Sequence, residues 1–103
     1  MRYEWTDYAK EVRDQIADYI YERFGEKRSM KFLDDVDEAV GMILHHPSIG
    51  TIDPLFADRS VTYRSVVVDG LSKMIYHVED DVIYIAAMWD CRREPQIQAE
   101  QVK

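Results

Sequence analysis

Two apolar periods, one following the other, set the tightest limits on what this chain can fold into. Up to His46 the apolar residues recur every three or four positions; beyond Ser60 they alternate, and a segment punctuated by Gly50 and Asp53-Pro54 divides the two regimes. A stripe of helical period cannot be buried by a strand, and an alternating one cannot be buried by a helix. The chain is therefore expected to place helices first and strands second in an α+β fold, with an N-terminal strand and a helical hairpin packed on a mostly antiparallel sheet.

The local signals give this order its detail. "RYEW" near the N-terminus reads as a short strand with Tyr3 and Trp5 apolar. Thr6 is placed to cap a helix whose positive first turn receives Asp7. Tyr8, Val12, Ile16, Ile20 and Phe24 form its stripe, widened by Ala9 and Tyr19, and Gly25 stops it. Leu33, Val36, Val40, Ile43 and Leu44 form a second stripe, opposite a face carrying Asp34, Asp35, Asp37 and Glu38. Pro47 ends that helix by disfavouring helical backbone at His46. "PSIGTIDPLFADR" reads as a loop. "VTYRSVVV" and "SKMIYHV" read as strands around an Asp69-Gly70 turn. In the second of these, Met74, Tyr76 and Val78 share one face, and Lys73, Ile75 and His77 the other. After the polar turn at Glu79-Asp80-Asp81, "VIYIAAMW" is apolar on both faces, as suits a covered strand.

With 103 residues, 47% of them hydrophobic and 32% charged, the chain is the size and composition of one globular domain. Residues 1–95 are read as that domain and 96–103, "QIQAEQVK", as a tail without a clear period. One cysteine allows no internal disulfide, which fits a reducing compartment. The charged N-terminus lacks the apolar centre of a signal peptide, and the apolar run 82–89 is far short of the ~20 residues that span a bilayer. A soluble, cytoplasmic protein that avoids membranes is expected. The net charge of −7 argues against nonspecific binding to DNA. The charge is uneven: residues 1–58 carry 13 acids against 7 bases, whereas residues 59–93 carry 5 of each.

Several residues invite chemical readings. His45 and His46 point about 100° apart on a helix, His77 is distant, and Cys91 has no second cysteine at zinc spacing, so no metal site is expected. Nothing in the sequence supplies Cys91 with a base or an oxyanion hole, and four scattered glycines make no phosphate loop, so no cofactor is expected either. What remains is Arg59, Arg64, Lys73, Arg92 and Arg93, interleaved with Tyr63, Tyr76, His77 and Trp89. Converging on one sheet face, these would suit RNA or an acidic protein surface. Equally, each cation can lie along its own strand end or pair with a nearby acid.

In the order of these features the chain resembles the RelE/ParE superfamily of bacterial type II toxin–antitoxin toxins, across residues 3–95. The resemblance rests on the aromatic first strand, the hairpin ending in "LHHPSIG", the arginine of "VTYRSVVV", the strand "KMIYHV" and the close in "MWDCRREP". The portion "IYHVEDDVIYIAAMWDCRR" is most like ParE-type, plasmid-stabilisation members. It implies a growth-inhibiting toxin neutralised by a cognate antitoxin. Members of ParE type poison DNA gyrase; those of RelE type are endonucleases that cut messenger RNA on the ribosome.

By position, Arg64 matches the arginine of the first C-terminal strand, Lys73 falls where many relatives have arginine, Tyr76 matches a tyrosine, and Arg92 or Arg93 matches the closing basic residue. On the RelE reading Arg64, Lys73 and Arg92 are the catalytic set. On either reading Arg59, Arg64, Lys73, Ile75, Tyr76, Tyr84, Trp89, Arg92 and Arg93 are the expected surface for partner or target. The acidic balance and the absence of a tyrosine after Arg93 depart from the RelE pattern and favour the ParE reading, without enzymatic activity. A relative that binds its antitoxin and poisons nothing is the third alternative.

Overall fold

The computed structural model describes residues 1–70 and 72–90; Cys91, Arg92, Arg93 and the segment 96–103 lie outside them. Along the chain run β1 (Arg2–Trp5), α1 (Asp7–Phe24), α2 (Glu26–His45), β2 (Thr51–Ile52), a 3-10 turn (Pro54–Phe56), β3 (Arg64–Val67), β4 (Ser72–Glu79) and β5 (Val82–Asp90). The strands form one sheet in the order β1-β5-β4-β3-β2. Only the β1–β5 pairing is parallel; the other three are antiparallel. The expected α+β architecture is what the chain adopts. Two elements are added to it inside the segment read as loop, the 3-10 turn and β2, whose Thr51 and Ile52 pair with Ser65 and Arg64. Two residues are too few to carry a period.

Thr6 links the first helix to the sheet. Its hydroxyl accepts from the Ala9 N–H at 3.1 Å, capping α1 as its sequence position suggests, and donates to the Ala86 carbonyl at 3.2 Å. Its own N–H donates to Ile85. Gly25 sits at φ +95°, a conformation costly for residues with a Cβ, and there the chain leaves α1 and enters α2 without a linker. The hairpin is tied internally by the buried Ser29, whose hydroxyl donates to the Ala17 carbonyl at 2.8 Å.

Both faces of the sheet are covered. Against one face the helices bring Ala9, Ala17, Phe32, Val36, Ala39, Val40 and Ile43 onto Met74, Tyr76, Ile83, Ile85 and Met88. The stripe of α1 is narrower than its sequence suggests: Val12, Ile16 and Ile20 are partly buried, while Tyr19 and Phe24 are exposed. Phe24 closes the last turn, beyond the sheet, and Arg28 covers its ring instead. Against the other face, residues after β2 bring Leu55, Phe56, Val61 and Tyr63 onto Ile75, Ala86, Ala87 and Trp89.

A β-bulge explains how β5 serves both layers. Ile75 pairs with Ala87 but Tyr76 with Ile85, so Ala86 is the extra residue. Before it, odd-numbered Ile83 and Ile85 face the helices; after it, even-numbered Met88 does, and Trp89 turns to the opposite side. The neighbouring β4–β5 hairpin closes through Asp80 and Asp81 at φ +50° and +63°, a tight turn whose twist matches the strands.

Candidate functional site

On the face away from the helices, residues 53–63 form a strap across β4 and β5. Its base is closed by the Asp53 N–H donating to the Tyr63 carbonyl at 2.9 Å. Asp53 is 3% exposed, and burying a carboxylate this deeply requires a partner. Lys73 supplies it: Nζ donates to Oδ2 at 2.8 Å, while Oδ1 accepts from the Leu55 N–H at 3.0 Å. The same ammonium lies 4.5 Å from the Trp89 ring centroid. Above Trp89 sits Phe56, with centroids 5.5 Å apart, and Tyr63 packs against Phe56 at 4.8 Å. Lys73 therefore pins the strap to the sheet from below.

A second clamp fixes the turn after α2. The Tyr76 hydroxyl donates to the Pro47 carbonyl at 2.7 Å and accepts from the Gly50 N–H at 3.0 Å. Burial pushes the Tyr76 phenol above its usual range, opposed by the Gly50 hydrogen bond and the nearby Arg64 charge. Gly50 has no room for a side chain: a Cβ would come within 2.9 Å of the Tyr76 ring and of the Ser65 carbonyl. Arg64, opposite Tyr76 in the ladder, completes the clamp, donating to the carbonyls of Gly50 at 2.8 Å and Ser48 at 3.4 Å.

Towards the hairpin end the outer face carries an aromatic ladder. His77 stacks on Tyr84 at 5.2 Å and meets Tyr63 edge-on at 5.1 Å. Its Nδ1 is buried without a hydrogen-bond partner among the described residues. Burial lowers the His77 pKa, with the Glu79 charge pulling the other way, so the ring favours its neutral form.

The residues singled out from sequence fall into three groups. Arg59, Arg64, Lys73 and Tyr84 keep some accessible surface. Of these, Arg64 and Lys73 are engaged as above, and Arg59 lies 5.1 Å from the Phe56 ring centroid and 3.8 Å from Asp58. Ile75, Tyr76 and Trp89 are interior, at 0%, 0% and 1% exposure, so their part is to support the surface rather than form it. The helices cover Tyr76, the strap covers Ile75 and Trp89, and the bulge turns Trp89 towards the strap; neither strap nor bulge is visible in an alternating pattern. Arg92 and Arg93 lie outside the described residues. Asp53 and Gly50 were read only as loop punctuation, yet they are the residues that commit Lys73 and Tyr76. The one signal for them was their place in an apolar-rich loop, with Ile49, Ile52, Leu55 and Phe56 around them.

His45 and His46 meet edge-on at 4.7 Å, and no group of three or more His, Cys, Asp or Glu among the described residues is arranged to hold a metal. No described helix is long and apolar enough to cross a membrane.

Comparison with solved structures aligns the chain with one from the chromosomal ParDE TA system from P. aeruginosa. The TM-score is 0.71 at 20% identity, covering 87% of this chain and 95% of that one, a likeness of fold. No curated protein matches. The family model described as the ParE toxin of the type II toxin–antitoxin system, parDE, matches residues 3–95. With that match spanning the hairpin, the strap and the whole sheet, the chain belongs to the ParE toxin family of type II toxin–antitoxin systems.

Proposed function

We propose that this chain is a toxin held inactive by a cognate antitoxin, and that it acts on DNA gyrase rather than on ribosome-bound messenger RNA. The observation that carries the choice of target is the commitment of the cations. Cleaving RNA through its 2′-hydroxyl calls for one group to take a proton and another to give one to the leaving oxygen. Lys73 is tied to the buried Asp53, and Arg64 to the carbonyls of the Pro47–Gly50 turn. The Tyr76 hydroxyl is enclosed between Pro47 and Gly50. Neither Lys73 nor Tyr76 can take or give that proton without taking apart the clamp that holds it, and Arg64, whose guanidinium stays protonated, cannot take their place.

Membership of the ParE family and likeness to a chain of a ParDE system support an antitoxin as the partner. Its segment is expected to bury Arg59, Tyr84, Arg92 and Arg93. It should leave the exposed acids of α2, Asp34, Asp37 and Glu38, in water, since like charges oppose docking there. The test is induced expression with and without the neighbouring small gene, scoring growth, plasmid supercoiling and messenger RNA together. Growth arrest relieved by the neighbour, with supercoiling lost and messenger RNA intact, is the expected result. Cut messenger RNA with normal supercoiling would reverse the assignment of target.

A further inference from the structure

β1 forms one edge of the sheet, and its outer side pairs with no strand among the described residues. The bond from the Thr6 N–H to the Ile85 carbonyl fixes the alternation of the parallel ladder, in which even-numbered residues turn their backbone inward to β5. Tyr3 and Trp5 therefore present their N–H and carbonyl groups to the outside. Proteins usually blunt such an edge with a proline, a bulge, a covering element or charges that repel an incoming strand. β1 has neither proline nor bulge. Tyr3 stands beside Ile83, on the helix side, yet is 45% exposed, so α1 leaves this end of the edge open.

The charges of β1 are of both signs. Arg2 and Glu4 share the side of the sheet away from the helices, and both are exposed. Their side chains are 3.9 Å apart, longer than a hydrogen bond, so each has capacity for a further partner. A strand paired antiparallel with its own copy must set outward-facing residues against one another. Only odd-numbered residues face outward, so the pairing is centred on a residue and not between two. Centred on Arg2 or on Glu4, it would oppose like charges. Centred on Tyr3, it sets Arg2 against Glu4 of the copy, and Glu4 against Arg2.

We propose that β1 pairs antiparallel with β1 of a second copy of this chain about a two-fold axis at Tyr3, joining two sheets into one. A two-fold contact needs a surface complementary to itself, and this strand supplies it on each of its three aspects. Along the edge, the Tyr3 N–H and carbonyl of each copy bond to those of the other. On the outer side, Arg2 and Glu4 of both copies form a square in which every charge has opposite charges as its neighbours, along the strand and across it. On the helix side, Tyr3 meets Tyr3 and Trp5 meets Met1, covering apolar surface that one copy leaves in water. The net charge of −7 on each copy opposes association, so the dimer should depend on concentration. It requires neither antitoxin nor target.

Sedimentation of the purified, untagged full chain over a range of concentrations measures the dimer, and backbone amide hydrogen exchange locates it. A reversible dimer is expected, with exchange at Tyr3 and Trp5 slowing as concentration rises. Arg2→Glu and Glu4→Arg each turn both cross-chain charge pairs into like pairs, and each should weaken the dimer by about tenfold. Both positions are exposed, so the fold should be unchanged. The two single variants mixed in equal amounts regain opposite charges between unlike chains and should recover most of the affinity. The double variant Arg2→Glu with Glu4→Arg should recover it without mixing. A chain that stays monomeric, or a dimer indifferent to the single changes, would overturn the proposal. Failure of both the mixture and the double variant to recover, or slowed exchange confined to other strands, would overturn it as well.

Discussion

Lys73 and Asp53 make a pair whose two halves should respond unequally to substitution. Lys73→Met leaves a buried carboxylate without its cation, and a loss of roughly 3 kcal/mol in urea unfolding is expected. Lys73→Met combined with Asp53→Leu removes both charges and should recover much of that loss. If Lys73→Met proves neutral, the lysine is no anchor and is available to a substrate after all. Tyr76→Phe strips partners from the Pro47 carbonyl and the Gly50 N–H and should cost about 1–3 kcal/mol. His77 ties stability to pH. Its pKa is lowered in the folded state by burial, so above the ordinary imidazole pKa of about 6.5 the ring is neutral in both states and stability is full. As pH falls below that value the unfolded chain takes up the proton first, and stability declines through the lowered pKa of the folded state. Unfolding midpoints measured across this range should fall on acidification in the natural chain and more weakly in His77→Phe.

At the scale of elements, the hairpin turn between β4 and β5 carries strain that can be relieved. Asp80 and Asp81 both hold positive φ, which aspartate tolerates but asparagine and glycine prefer in such turns. Asp80→Asn with Asp81→Gly should raise stability by about 1 kcal/mol, read from thermal or urea unfolding. The helices and the three long strands were legible because each carries its own period: Val36, Val40 and Ile43 face the core as the spacing requires, and Met74 and Tyr76 share a face of β4. What escaped the sequence depends on contacts between distant residues. Nothing near Ala86 announces a bulge; the cross-strand register and the Thr6 hydroxyl, 80 positions away, define it. Asp53 next to a proline is an ordinary turn signal, and only the position of Lys73, 20 residues on, turns it into a buried ion pair. For that reason the engagement of Lys73 and Arg64 with the fold was not foreseen.

The whole molecule carries a net charge of −7, concentrated in its helical half, and two of the cations in its sheet half serve the fold. A protein that must hold a polyanion through several phosphate contacts gains little from such a surface. A protein target, by contrast, is engaged by shape and by a few local charges. The direct measurement uses one preparation of the purified chain and two assays side by side: supercoiling by purified gyrase, and cleavage of messenger RNA on programmed ribosomes. Inhibition of supercoiling with the messenger left whole, reversed by adding the antitoxin, is the expected outcome. Messenger cut at the ribosome while gyrase works normally, with cutting lost in a folded Arg64→Ala variant, would contradict it.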